Sequence, residues 1–152
     1  MRRKEKEITD KAVIESIILS SSVCRLALSE DNHPYLVPLC FGYEDNSLYF
    51  HSAPEGKKLD ILRDNNNVCF EFDIDCQRVE AEEVCKWSMS YRSVIGFGKA
   101  TIIDDPKEKI KAINAIIQHY AGRPLQYRKT NRKGTAIIKV EIESISGKES
   151  GY

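Results

Sequence analysis

The sequence predicts a mainly β protein, an antiparallel β-barrel of about six strands with three peripheral helices. Three observations carry this expectation. Apolar residues recur in short runs with strand-like alternation. Successive runs are joined by tight polar turns, which favours antiparallel neighbours over a doubly wound parallel sheet. Only three stretches show helical spacing, and all 152 residues (1–152) amount to a single domain's worth of chain.

The elements follow in order. Val13, Ile14, Ile17 and Ile18 lie on one face of a helix over Asp10–Ser20, with Thr9 or Asp10 as its N-cap and Ser20-Ser21-Ser22 as its end. Val23–Ser29 is a first strand, turning at Asp31-Asn32 into a second, Tyr35–Tyr43. Pro34 and Pro38 cannot donate to a ladder, so this second strand belongs at an edge or carries a bulge. Glu44-Asp45-Asn46 turns the chain into Leu48–His51. Pro54-Glu55-Gly56 then breaks it before a short helix, Lys57–Asp64, with Leu59 and Leu62 inward. Val68–Ile74 is the fourth strand, and polar Asp75–Glu83 is expected as a loop. Val84–Ile103 is a long strand region interrupted by Gly96 and Gly98, which suggest a bend or a close approach. Pro106 opens and Gly122 ends the longest helix, Lys107–Tyr120, with Ile110, Ile113, Ile116 and Ile117 on one side. A basic connection, Arg123–Lys133, leads to the last strand, Thr135–Ile145, with Ala136, Ile138, Val140 and Ile142 on one face.

Composition bounds the function. Lys plus Arg equals Asp plus Glu, 23 each, which argues against a dominant nucleic-acid or acidic-membrane role. No apolar run approaches the ~20 residues of a membrane helix. The charged start, Met1–Glu7, lacks an apolar signal core, so a cytoplasmic location is expected. Five cysteines show no C-x2-C spacing, and no metal site is expected. Cys24, Cys40 and Cys69 sit in apolar runs and are expected to be buried thiols, whereas Cys76 and Cys85 flank a polar stretch and are the more reactive pair.

Two segments carry chemistry. In His51-Ser52-Ala53-Pro54-Glu55-Gly56-Lys57-Lys58 a strand ends, a Gly-containing turn follows, and a helix starts with two lysines. Free amides at a helix N-terminus favour anions, Ser52 can donate a hydrogen bond, and the lysines supply charge. Lysines in a first turn oppose the helix dipole unless an anion sits there. The other reading is an exposed turn with solvated lysines. The second segment runs from Lys86 to Gly98 and holds Trp87, Tyr91, Arg92 and two glycines. It could wall a flat ligand, or it could be a core strand in which Trp87 and Phe97 pack inside and Arg92 makes a structural ion pair.

In this order, Val23-Cys24-Arg25-Leu26, Tyr35–Leu39, Leu48–Ala53, Gly56-Lys57-Lys58 and Tyr91–Gly98 resemble the FMN-binding split-barrel proteins related to pyridoxamine 5′-phosphate oxidase. The nitroimidazole-resistance (Nim-type) flavoproteins are the branch most resembled, from about Arg2 to Gly147. The resemblance implies a six-stranded split β-barrel homodimer with FMN at the subunit interface. It implies that the backbone of Val37, Pro38 and Leu39 borders the flavin ring. His51 and Ser52 would reach the flavin and its phosphate, and Lys57 and Lys58 would grip the phosphate. Trp87, Tyr91, Arg92, Ser93 and Val94 would form a wall, contributed across the interface. The end of the chain lacks the Arg-x-His element that holds substrate phosphate in true pyridoxamine phosphate oxidases, so that reaction is not expected.

The enzyme so implied takes electrons from NAD(P)H or another donor and passes them to a small electron-poor acceptor such as a nitroaromatic. No G-x-G-x-x-G follows a strand, so a nicotinamide would stack directly on the flavin. His51 is the candidate proton donor, or else only a hydrogen-bond partner of FMN. Two other readings remain: a non-catalytic flavin, haem or deazaflavin binder, and a cofactor-free dimerisation module.

Overall fold

The computed structural model of the chain describes residues 3–123 and 134–151. Its elements are β1 (Glu7–Ile8), α1 (Lys11–Ser20), β2 (Cys24–Glu30), β3 (His33–Leu39), β4 (Phe41–Glu44), β5 (Ser47–Ser52), α2 (Lys57–Asp64), β6 (Asn67–Val79), β7 (Ser88–Ile103), α3 (Pro106–Ala121) and β8 (Ala136–Ser150). The strands form one sheet in the order β3-β2-β6-β7-β8-β5-β4, with β1 added to β8, and every pairing is antiparallel.

The two end strands, β3 and β4, are separated in the chain by Cys40 alone. One continuous stretch therefore leaves one edge of the sheet and enters the other, and this closes the sheet into a barrel. The stretch expected as a single strand, Tyr35–Tyr43, is that bent strand. Counting it as one and leaving aside two-residue β1, the barrel has the six strands read from the sequence. The bend also corrects an expectation: Cys40 turns outward at the corner and is exposed, Cys69 is half-buried, and only Cys24 is sealed in the core. Burial pushes the Cys24 thiol far up, so it stays protonated.

Turn chemistry sets the register. Asp31-Asn32 and Asp45-Asn46 all have positive φ, as type I′ hairpin turns require at both central residues. Leu26, Phe41, Leu48, Phe50, Phe70, Phe72, Val94, Ile138 and Val140 fill the barrel interior, and Ile14, Ile17 and Ile18 of α1 pack into the same core. Asp10 caps α1 by accepting from the Ala12 amide, while Val13 lies outside the buried face. A second, smaller cluster lies outside the barrel, where Ala112 and Ile116 of α3 cover Tyr49, Ile103 and Ile137. Ile110, expected on the buried side of α3, is exposed, because the helix presents the Ala112–Ile116 stripe instead. Gly42 lets α3 approach β4 this closely: a Cβ there would stand 2.5 Å from the Ala115 backbone.

β6 continues through Asp75 to Val79, so half of the expected loop is strand, with a bulge between Ile74 and Gln77 and positive φ at Asp75. Val84–Lys86 is a 3-10 turn, and β7 begins at Ser88. The register of β7 on β8 slips between Phe97 and Gly98, where a Cβ on Gly98 would meet the Glu141 carbonyl oxygen at 2.2 Å. β8 runs on to Ser150 rather than stopping near Ile145. Asp105 caps α3 through the Lys107 and Glu108 amides, and Gly122 ends it in the left-handed region. Of the basic connection over Arg123–Lys133, all but Arg123 lies outside the described residues.

A Gly42→Ala substitution should force α3 away from β4 and destabilise the fold by about 2 kcal/mol, read as a lower thermal midpoint. Gly56→Ala, whose Cβ would meet nothing within 4 Å but whose φ of 130° strains it, should cost less.

Candidate functional site

His51 and Ser52 end β5, opposite Ile137 and Ala136 of β8. The chain then turns and starts α2, which Leu59, Ile61 and Leu62 anchor in the core. Gly56 occupies the N-cap position with φ 130° and has no side chain with which to cap. Leu59 and Asp60 donate to the Gly56 carbonyl at 2.8 and 3.2 Å, but the first-turn amides receive no side-chain cap. Lys57 and Lys58 follow at once. This is the positive end of a helix dipole with two added cations.

The lysines differ in surroundings. Lys57 is exposed, with Nζ 5.3 Å from the centre of the Tyr35 ring and 3.9 Å from Glu30. Lys58 is half-buried, and that burial alone moves its ammonium below the usual lysine range. No carboxylate among the described residues offsets it. An anion at the start of α2 would supply the missing partner.

The Lys57–Tyr35 contact sets the start of α2 against β3. Tyr35, Val37 and Leu39 turn their side chains toward the core, and Pro38 is exposed. β3 pairs only with β2, so its other backbone edge is open. Pro34 and Pro38 share one parity of the strand, and an open edge is where a missing amide donor costs least. The open edge thus offers carbonyls and the Leu36 amide, and Lys57 reaches this strand at Tyr35. His51 and Ser52 lie one short turn ahead of α2. Tyr35 was missed, although its parity with Val37 and Leu39 placed it on the same strand face.

The other expected residues lie elsewhere. His51 is level with Ile137, and Ile137 with Ile103 at the far end of β7. Arg92 lies eleven residues back along that strand, about 35 Å at ~3.3 Å per residue. Within one chain the Trp87–Val94 segment is therefore remote from α2. Trp87 is not a core residue: it is 40% exposed, donates its indole N–H to the Ala81 carbonyl at 3.0 Å and stacks under Arg78, so it pins the β6–β7 turn. Arg92 lies between Asp75 and Glu149, at 3.5 and 3.6 Å. Tyr91 and Ser93 are half-buried, and Lys148 stands over the Tyr91 ring. Val94 is fully buried in the barrel and its backbone is paired between β6 and β8, so it does not form the ligand wall expected of it within one chain.

No group of three or more metal-ligating side chains forms among the described residues. No helix among them is long and apolar enough to cross a membrane.

A six-stranded antiparallel barrel closed by one bent strand is the frame of a known class. Residues 10–149 match the family model described as pyridoxamine 5′-phosphate oxidase. The chain belongs to that family. A solved structure from Bacteroides thetaiotaomicron VPI-5482, proposed as a 5-nitroimidazole antibiotic resistance protein, is 37% identical over 94% of this chain and 86% of its own, with a TM-score of 0.82. The FAD and heme binding protein of Mycobacterium smegmatis shares the fold at 20% identity, over 97% of this chain and 74% of its own, with a TM-score of 0.80. An uncharacterized protein of Rhizobium meliloti (strain 1021) is 33% identical over 57 residues, 38% of this chain and 37% of that relative's length.

Lys58→Met should separate stability from ligand binding. In the ligand-free protein the folded-state ammonium pKa lies below its unfolded value, so Lys58 opposes folding at neutral pH and ceases to do so as pH rises through the alkaline range where it deprotonates. The variant should therefore melt at or slightly above the parent temperature at pH 7 while losing at least about tenfold in affinity for a phosphate-bearing ligand. A drop in both would show that Lys58 serves packing instead.

Proposed function

We propose that this chain binds FMN as a homodimer and passes electrons from a reduced donor, such as NAD(P)H, to a small electron-poor acceptor of the nitroimidazole or nitroaromatic type. The observation that carries the reading is the uncapped start of α2, with half-buried Lys58 and with Lys57 over the Tyr35 ring of β3. Family membership and the 37% identical neighbour support it.

In this reading the Lys57 and Lys58 side chains, the first-turn amides of α2 and the Ser52 hydroxyl hold the phosphate. The open edge of β3 at Val37–Leu39 offers backbone groups to the ring. His51, exposed at the end of β5, hydrogen-bonds the ring or delivers a proton beside it. Bound FMN would supply the electron transfer itself.

The dimer accounts for the distance between the two groups of residues. An outward row crosses four strands through register partners: Leu36 on β3, Ala27 on β2, Cys69 on β6 and Phe97 on β7. Leu36 is 59% and Phe97 55% exposed, with Ile95 of the next row at 44%. Such a contiguous apolar band on a barrel suits burial against a second copy. Docking there would let the Trp87–Val94 segment of one subunit complete the site on the other.

The decisive measurement is the visible spectrum of the purified protein and the mass of the ligand it releases. Flavin bands and the mass of FMN are expected. A Soret band would favour haem, the mass of FAD would correct the cofactor, and a colourless protein that takes up no added FMN would overturn the reading. Phe97→Glu should convert the dimer to monomer by size-exclusion chromatography and lower flavin occupancy in parallel; a monomeric parent would remove the interface. In FMN-loaded His51→Ala, nitro-compound reduction should fall by about a hundredfold. Unchanged turnover would leave His51 as a hydrogen-bond partner only.

A further inference from the structure

At the end of the barrel remote from α2, a surface cleft of about 490 Å³ opens where β1, the start of β7 and the end of β8 meet. Its charged lining is entirely cationic: Arg3, Lys6 and Lys148. Tyr91 and Met89 form an apolar wall, and Ser88 and Ser150 add hydroxyls. Three cations converging in a chain with equal numbers of acidic and basic residues are a local feature that the net charge conceals.

Two of the cations are held in place by neutral partners. Lys6 donates to the Ser150 hydroxyl at 2.6 Å, and the Lys148 ammonium stands 5.2 Å from the centre of the Tyr91 ring. Among the described residues, none of the three makes an ion pair with a carboxylate. Glu7, opposite Lys148 in the β1–β8 register, makes no ion pair with it. Glu149 alternates to the other face of β8, where it meets Arg92. Like charges held together without a counter-charge repel, and a dianion between them removes that cost. The volume falls in the ~300–1,000 Å³ range of small-molecule sites.

We propose that this cleft is a second anion site, which binds the phosphate of a small molecule with a flat apolar body, of the mononucleotide type. Arg3, Lys6 and Lys148 take the phosphate, the serine hydroxyls donate to it, and the body lies against Tyr91 and Met89. The site stands on these contacts and does not require the flavin reading. If the flavin wall of the proposed dimer is supplied by Trp87–Val94, the cleft adjoins it through Tyr91, and its ligand lies beside the flavin.

The test is calorimetric titration of the protein as purified with AMP, adenosine and inorganic phosphate. AMP should bind saturably and at least about tenfold more tightly than adenosine, with inorganic phosphate competing and added salt weakening it. Lys148→Gln, and separately the double variant Arg3→Gln/Lys6→Gln, should weaken AMP binding by about tenfold or more, and Lys148→Arg should retain it. Lys57→Gln/Lys58→Gln should leave it unchanged. Equal binding of AMP and adenosine, absence of AMP binding, or loss of AMP binding only in the Lys57/Lys58 variant would overturn the proposal. Flavin content, measured on the same preparations, reports separately: AMP binding that depends on Lys148 in a protein that takes up no flavin leaves this site standing and removes the flavin reading.

Discussion

The bend at Cys40 is the constraint on which the rest of the molecule depends. A sheet whose two end strands are one residue apart in the chain cannot lie flat; it must curl until the chain can pass from β3 into β4, although those two edges do not pair. Closure puts Phe41, Phe70 and Phe72 together inside, with ring centroids 4.9 and 5.9 Å apart along the chain of contacts. The corner is held from outside by α3, whose Tyr120 hydroxyl bridges the Phe41 amide and the Ser22 carbonyl. His119 adds a hydrogen bond to the Ser21 carbonyl at 2.8 Å and a ring contact to Phe41. β3, which enters that corner, carries Tyr35, and Lys57 at the start of α2 stands over its ring.

Charge is distributed with a recognisable division. Many described surface ions are paired and exposed: Arg25 bridges Glu71 and Asp73, Arg63 meets Asp60, and Lys111 reaches Glu44 and Asp45. Such pairs contribute little to stability individually. Lys58 is half-buried and Arg3, Lys6 and Lys148 share one cleft, and none of the four is among these ion pairs. Positive charge that folding does not neutralise is available for a ligand.

The fold was largely legible because its signals are local. Two Asp-Asn turns, two prolines of one parity and a capped, glycine-ended helix determine six strands and three helices without reference to the tertiary structure. What failed was tertiary in origin. The sequence shows Cys40 in an apolar run, but the corner turns it outward. Ile110 has the spacing of a buried residue, but Ala112 and Ile116 form the stripe that meets Tyr49 and Ile137. At the site, the helix start and its lysines were visible as a dipole conflict. That Arg92 sits about 35 Å along the strand from the level of His51, with Trp87 beyond it, was not, because it depends on the β7–β8–β5 register. The cleft around Lys148 was invisible for the same reason: Arg3, Lys6 and Lys148 are brought together only by the pairing of β1 with β8.

The place of β8 in the sheet has a kinetic consequence. It follows every other strand in sequence, yet it lies inside the sheet, bonded to β7 along its length, to β5 on its other flank and to β1 near its end. During synthesis, β2 to β7 emerge with β5 and β7 lacking the strand that joins them. Those strands expose unpaired backbone and the apolar residues that Ile138 and Val140 will cover. Contacts between residues as distant as Glu7 and Lys148 form last, and loop closure on that scale slows folding. The nascent chain therefore passes through a stage vulnerable to aggregation, which ends when residues 136–150 insert.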